Sequence, residues 1–151
     1  CPTPFSGRPS FPEMVLRKAL NGEPLSAVAD KWSMPAWVED LCGWLRFLAY
    51  ESDASGVLHL CQSGEPVSWH GYAVTALKCA VKHGLLPSLP PVAEQKLDEQ
   101  AGFRDARPRH TAMSCERLAS LMKRPVRTYE EAIDLAVARY ASDPTFLSRI
   151  S

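Results

Sequence analysis

The chain has 151 residues, 46% of them hydrophobic and 23% charged, with 17 basic and 17 acidic side chains cancelling to zero formal charge. This is the make-up of one soluble globular domain, or a piece of one. There is no basic excess of the kind nucleic-acid binding needs, and no run nears the roughly 20 apolar residues of a membrane-spanning helix, so neither partner is expected.

Residues 1–9 read as an irregular N-terminal segment without the apolar stretch of a signal peptide. Ser10 then opens a helix, with Pro12 in its first turn and Glu13 placed to complete a capping box. Val15, Leu16, Ala19 and Leu20 form its apolar stripe, and Gly22 stops it. Residues 25–29 alternate as a weak strand and run into a polar loop holding Asp30, Lys31 and Trp32. Ser33 is expected to cap a second helix, with Pro35 in its first turn and Val38, Leu41, Cys42, Leu45 and Leu48 facing inward.

Next comes the stretch GVLHLCQSGEPVSWHGYAVTALKCA, residues 56–80. Residues 57–61 are a short apolar run between Gly56 and Gly64, expected as a strand covered on both faces. Ser68 caps the following helix, in which Tyr72, Ala73, Ala76, Leu77, Ala80 and Val81 recur at helical spacing. Residues 85–109 carry Pro87, Pro90, Pro91 and Pro108 and read as a binding loop, lid or hinge, with a possible short helix over 94–100. Ser114 starts another helix that ends before Pro125. Thr128 and Glu131 form a capping box for the last helix, and the tail from Asp143 to Ser151 is expected to fray.

Two strands cannot make a stable sheet. Either short strands hide in the proline-rich loop, or this unit packs against something else. The five cysteines are odd in number and widely spaced, with no C-x-x-C. Cys42, Cys61 and Cys79 fall on expected apolar faces, so they read as buried reduced thiols of a cytoplasmic protein.

The chain lacks G-x-G-x-x-G, a P-loop, H-E-x-x-H and G-x-S-x-G, and its four histidines are scattered, so no catalytic set or metal site is expected. Binding candidates are indoles and arginines beside loops. Trp32 follows the first strand, and Arg104, Arg107 and Arg109 stand close together before Ser114. A guanidinium can bond two phosphate oxygens at once, and an indole can stack on a base or sugar.

Residues 56–73, G-V-L-H-L-C-Q-S-G-E-P-V-S-W-H-G-Y-A, resemble a strand–turn–helix in the C-terminal half of the dTDP-4-dehydrorhamnose reductase family, roughly G-x-Y-H-x-x-x-S-G-x-x-S-W-Y-x-F-A. Gly56, His59, Ser63, Gly64, Ser68, Trp69 and Ala73 match. Residues 10–20, S-F-P-E-M-V-L-R-K-A-L, are similar to its N-F-x-x-x-M-L-R-x-A. Asp30, Pro35, Asp40 and Leu41 match L-x-V-V-x-D-Q-x-G-x-P-T-x-x-x-D-L, and residues 106–118 look like A-R-R-P-x-N-S-x-L-x-x-x-K-L. The similarity runs from about Ser10 to Tyr140.

The resemblance implies an α/β fold: the helix-rich substrate-binding lobe of a Rossmann-type extended short-chain reductase, over residues 10–142. The implied ligand is a nucleotide sugar, contacted by Arg107, Asp30, Lys31, Trp32 and Phe11. The family reduces a 4-keto sugar with NADP or NAD, held by a Rossmann half with Y-x-x-x-K. Neither the glycine-rich turn nor that motif occurs here, so no cofactor is expected on this chain and it should not turn over alone. The implied partners are the missing Rossmann half or a partner chain, with a homodimer possible. Alternatives are a regulatory, protein-interaction module of the same fold branch, or an inactive gene fragment. Ser10, Lys31 and His110-Thr111 depart from the family near its substrate cleft, which leaves the sugar open.

Overall fold

The structure, a computed structural model, describes residues 9–99, 107–144 and 146. Helix α1 (Phe11–Leu20) begins where its sequence says: Ser10 Oγ accepts the Glu13 N–H at 3.4 Å. Glu13 turns forward to pair with Arg17 at 2.6 Å, so only half of the expected capping box forms. Strand β1 (Leu25–Val28) follows. It pairs in parallel with β4 (Val92–Gln95), Leu25 opposite Val92. That strand lies inside the proline-rich loop and replaces most of the helix expected over 94–100, which shrinks to a 3-10 turn at Leu97–Glu99. Pairing with β1 explains the exchange, since a short strand is chosen by the strand it meets.

A second small sheet has β2 (Trp32–Ser33) at its centre. It is antiparallel to β3 (Val67–Ser68) and parallel to β5 (His110–Thr111). Ser33 is thus committed to a strand and cannot cap the next helix. Helix α2 (Val38–Tyr50) starts later, at Trp37, with no side-chain cap. Its buried residue is Trp44, while Val38, Cys42 and Leu45 of the expected inner face are exposed. Residues 57–61 form no strand. The one bridge nearby joins Ser63 to Thr128.

Helix α3 (Trp69–Lys82) is the hub. Ser68 caps it through Gly71 N–H at 3.0 Å, and Ala73, Ala76, Leu77 and Ala80 are buried. Three alanines on one face let neighbours approach closely. Helix α1 packs against one flank and α5 (Tyr129–Ser142) against another, with β1 completing the core. Burying each Leu or Ile here contributes about 2 kcal/mol. The capping box at Thr128 and Glu131 forms in full. Phe146, in the tail expected to fray, is buried and stacks on Tyr140 at 4.6 Å. A smaller cluster joins Trp44 of α2 to Val126 and to Leu118 of α4 (Glu116–Met122), flanked by Leu58 and Leu60.

Asp134 of α5 ties α3 in place. Lys82 Nζ donates to it at 2.7 Å and His83 Nε2 lies 2.9 Å away. The Lys82 hydrogen bond is the main reason its carboxyl titrates below the ordinary 3.8. A depressed carboxyl stabilises the fold above its unfolded pKa, and that contribution fades as pH falls through the folded value. Asp134→Asn should therefore show a shallower acid limb, by about 0.5 kcal/mol for so exposed a pair. Denaturant titrations at pH 6 and pH 2.5 measure it, and equal losses in both proteins would refute it.

Candidate functional site

Because β1 and β4 are parallel, their carboxyl ends open on the same side, which is where open α/β sheets take ligands. A hollow of about 370 Å³ lies there, lined by Ala29, Asp30, Glu94, Gln95, Lys96 and Glu99. At its edge Ala29 N–H donates to Gln95 O at 2.9 Å, just past the β1–β4 pairing.

Asp30 is the pivot. One carboxylate oxygen accepts Leu97 N–H at 2.7 Å and so fixes the 3-10 turn, while the other is paired with Arg109. Arg109 also reaches Asp98 at 2.7 Å. Lys31 is buried, and its Nζ donates to Pro108 O at 2.8 Å. Trp32 N–H donates to Arg109 O at 2.7 Å, and its indole stacks on His110 with centroids 5.6 Å apart and planes 19° from parallel. Thr111 Oγ1 donates back to Trp32 O at 3.2 Å. Residues 30–33 and 107–111 are thus laced side by side.

Of the predicted site residues, Asp30, Lys31 and Trp32 sit on this seam, and exposed Arg107 precedes the proline that Lys31 grips. Phe11 does not join them in the seam. It packs on Trp69 and Tyr72, with centroids 6.1 Å and 6.0 Å away, and Tyr72 in turn meets Tyr129 edge-on. Burial there pushes the Tyr72 phenol up to about 12, so the ring is a packing group. Trp69 connects the two regions, since it follows Ser68, the register partner of Trp32. Arg104 lies outside the described residues.

Sequence reading did not anticipate the Asp30–Arg109–Asp98 chain, the Trp32–His110 stack, or Glu94, Lys96 and Glu99 at the hollow. Pro90-Pro91 fix only the approach to Val92, since proline restricts the residue before it. The charges divide the site. Carboxylates of Asp30, Glu94 and Glu99 line the hollow, while on the seam Lys31 is taken up by Pro108 O and Arg109 by Asp30 and Asp98. Among the described residues no three His, Cys, Asp or Glu side chains gather as a metal site requires, and no helix is long and apolar enough to cross a membrane.

This helix-rich α/β architecture is that of a lobe in Rossmann-type reductases and dehydratases. Two solved structures share it. One is dTDP-4-dehydrorhamnose reductase from Bacillus anthracis in complex with NADP, at TM-score 0.65 and 22% identity, matched over 85% of this chain and 42% of that one. The other is dTDP-glucose 4,6-dehydratase from the same organism in complex with NAD, at TM-score 0.62 and 14% identity, over 94% and 42%. This chain therefore spans less than half the length of either enzyme. The family model for the RmlD substrate binding domain matches residues 5–142, and the chain belongs to that family. No curated protein matches it in a sequence comparison.

Proposed function

We propose that this chain is the substrate-binding portion of an NAD(P)H-dependent reductase acting on a nucleotide-linked 4-keto-6-deoxysugar of the dTDP-4-dehydrorhamnose type. The observation that carries this reading is the meeting of Asp30, Lys31 and Trp32 with residues 107–111 at the carboxyl ends of a parallel pair, in a member of the substrate-binding family. Arg107 contacts a phosphate of the nucleotide, Trp32 offers a stacking face, and Asp30 orients the seam. The residues present do not fit a nicotinamide dinucleotide: α3 begins with its Gly71 N–H taken by Ser68, and no glycine-rich turn precedes it. The hydride carrier is held by another lobe.

Titration with dTDP, followed by tryptophan fluorescence or calorimetry, tests this. Arg107→Ala should weaken binding about tenfold, the loss of one charge-assisted contact worth roughly 1.4 kcal/mol. Absence of a dTDP signal, or one that ignores Arg107, would refute the reading.

A further inference from the structure

Arg109 is held twice, and the two holds differ. Toward the core it pairs through Nη1 with Asp30, whose other oxygen takes the Leu97 N–H at 2.7 Å and whose side chain is 27% exposed. Its backbone is fixed as well, since Arg109 O accepts Trp32 N–H at 2.7 Å. Outward, Nη2 donates to Asp98 at 2.7 Å. Asp98 is 79% exposed and stands in the middle of the 3-10 turn. Among the described residues its carboxylate has no other partner, and Arg109 Nε has none. Nε and Nη2 together are the side-on fork of an arginine, which fits two oxygens of one oxyanion. Asp98 fills only half of that fork.

An ion pair this exposed is worth little, so the outer hold exchanges readily while the inner one stays. The neighbouring hollow is no rival place for an anion, because Glu94 and Glu99 line it. Arg109 also falls at the unspecified position of the P-x-N-S pattern that residues 108–111 are similar to, so that resemblance assigns it no role.

We infer that Asp98 is a built-in competitor: its carboxylate occupies the place on Arg109 that the second phosphate of a nucleoside diphosphate takes, and that phosphate displaces it. Asp30 keeps Nη1 throughout, while the phosphate bonds Nε and Nη2. The other phosphate goes to Arg107, as in the proposed function. A ligand with a single phosphate leaves the Asp98 contact in place. Arg109 thus reads the second phosphate, and Asp98 weakens that reading by the strength of the pair it gives up. The inference rests on the nucleotide-sugar reading of this seam.

Asp98→Asn keeps the shape and removes the charge. Calorimetry with dTDP and dTMP compares it with the unaltered chain. Glu23→Gln, just before the amino end of β1, makes the same change in net charge at the opposite end of that strand. Asp98→Asn should bind dTDP about fourfold more tightly at low ionic strength, with the gain fading at high ionic strength and absent for dTMP. Glu23→Gln should bind both nucleotides as the unaltered chain does. An unchanged or weaker dTDP affinity in Asp98→Asn would overturn the inference. So would an equal gain for dTMP, or an equal gain in Glu23→Gln. Titration with inorganic pyrophosphate separates the inference from the reading beneath it. If dTDP is not bound but pyrophosphate is, and more tightly by Asp98→Asn, the nucleotide-sugar reading falls and the anion site stands. Binding of neither ligand by either protein overturns both.

Discussion

Gln62→Ala is expected to lower the unfolding free energy by about 2 kcal/mol, a large loss for a polar side chain. Gln62 is only 1% exposed. Its Oε1 accepts Trp37 N–H at 3.2 Å, and its Nε2 donates to Asp40 at 3.0 Å and Arg127 O at 3.1 Å. Asp40 also holds Arg127 through two contacts of 2.9 and 3.0 Å. The guanidinium groups of Arg127 and Arg139 cover the Trp37 ring from 5.5 and 5.0 Å, and Arg139 pairs with Glu39. This polar clamp holds the start of α2 to the approach of α5. Truncating Gln62 leaves the half-buried Trp37 N–H unpaired, at about 1–3 kcal/mol before relaxation, and takes one donor from Asp40, while Arg127 O keeps the Ser63 N–H at 3.0 Å. Urea unfolding of the variant measures the cost. A loss below about 1 kcal/mol would mean that water replaces the amide and the clamp is not what holds α2.

Asp30→Ala should cost about 2 kcal/mol of stability and, on the proposed function, weaken dTDP binding about tenfold. The carboxylate is the shared acceptor for Leu97 N–H and Arg109, so its loss frees both the 3-10 turn and the seam strand. Asp98→Ala is the control. Asp98 touches the same arginine but is 79% exposed, so its removal should cost under about 0.5 kcal/mol. Equal effects at the two positions would show that Asp30 is an ordinary surface charge.

What the sequence showed and what it hid divides along local and distant causes. Caps at Ser10, Ser68 and Thr128, and the Ala73–Ala76–Leu77–Ala80 face, are set within a turn or two of themselves, and each was legible. The parallel partner of β1 was not, because a four-residue strand ending in Glu94 and Gln95 carries little periodicity and is chosen by the strand it meets. Helix α2 was misjudged in its start and its face for a related reason. Ser33 looks like a cap until β3 and β5 claim it. Cys42, expected in the core, lies on the uncovered side. In the candidate site, Asp30, Lys31 and Trp32 were named from the sequence, but what lays them beside residues 108–111, the Asp30–Arg109 pair, the Lys31–Pro108 bond and the β2–β5 register, depends on pairings across the whole chain.

The placement of α5 against α3 limits how this polypeptide can be dissected. Helix α1, strand β1 and helix α3 lie before the proline-rich segment and α5 lies after it, yet they share one core. A protease cut within that segment would give two pieces, neither holding a complete interior. The seam is split the same way, with Trp32 on one piece and His110 on the other. Neither the core nor the seam can be inherited by either piece alone.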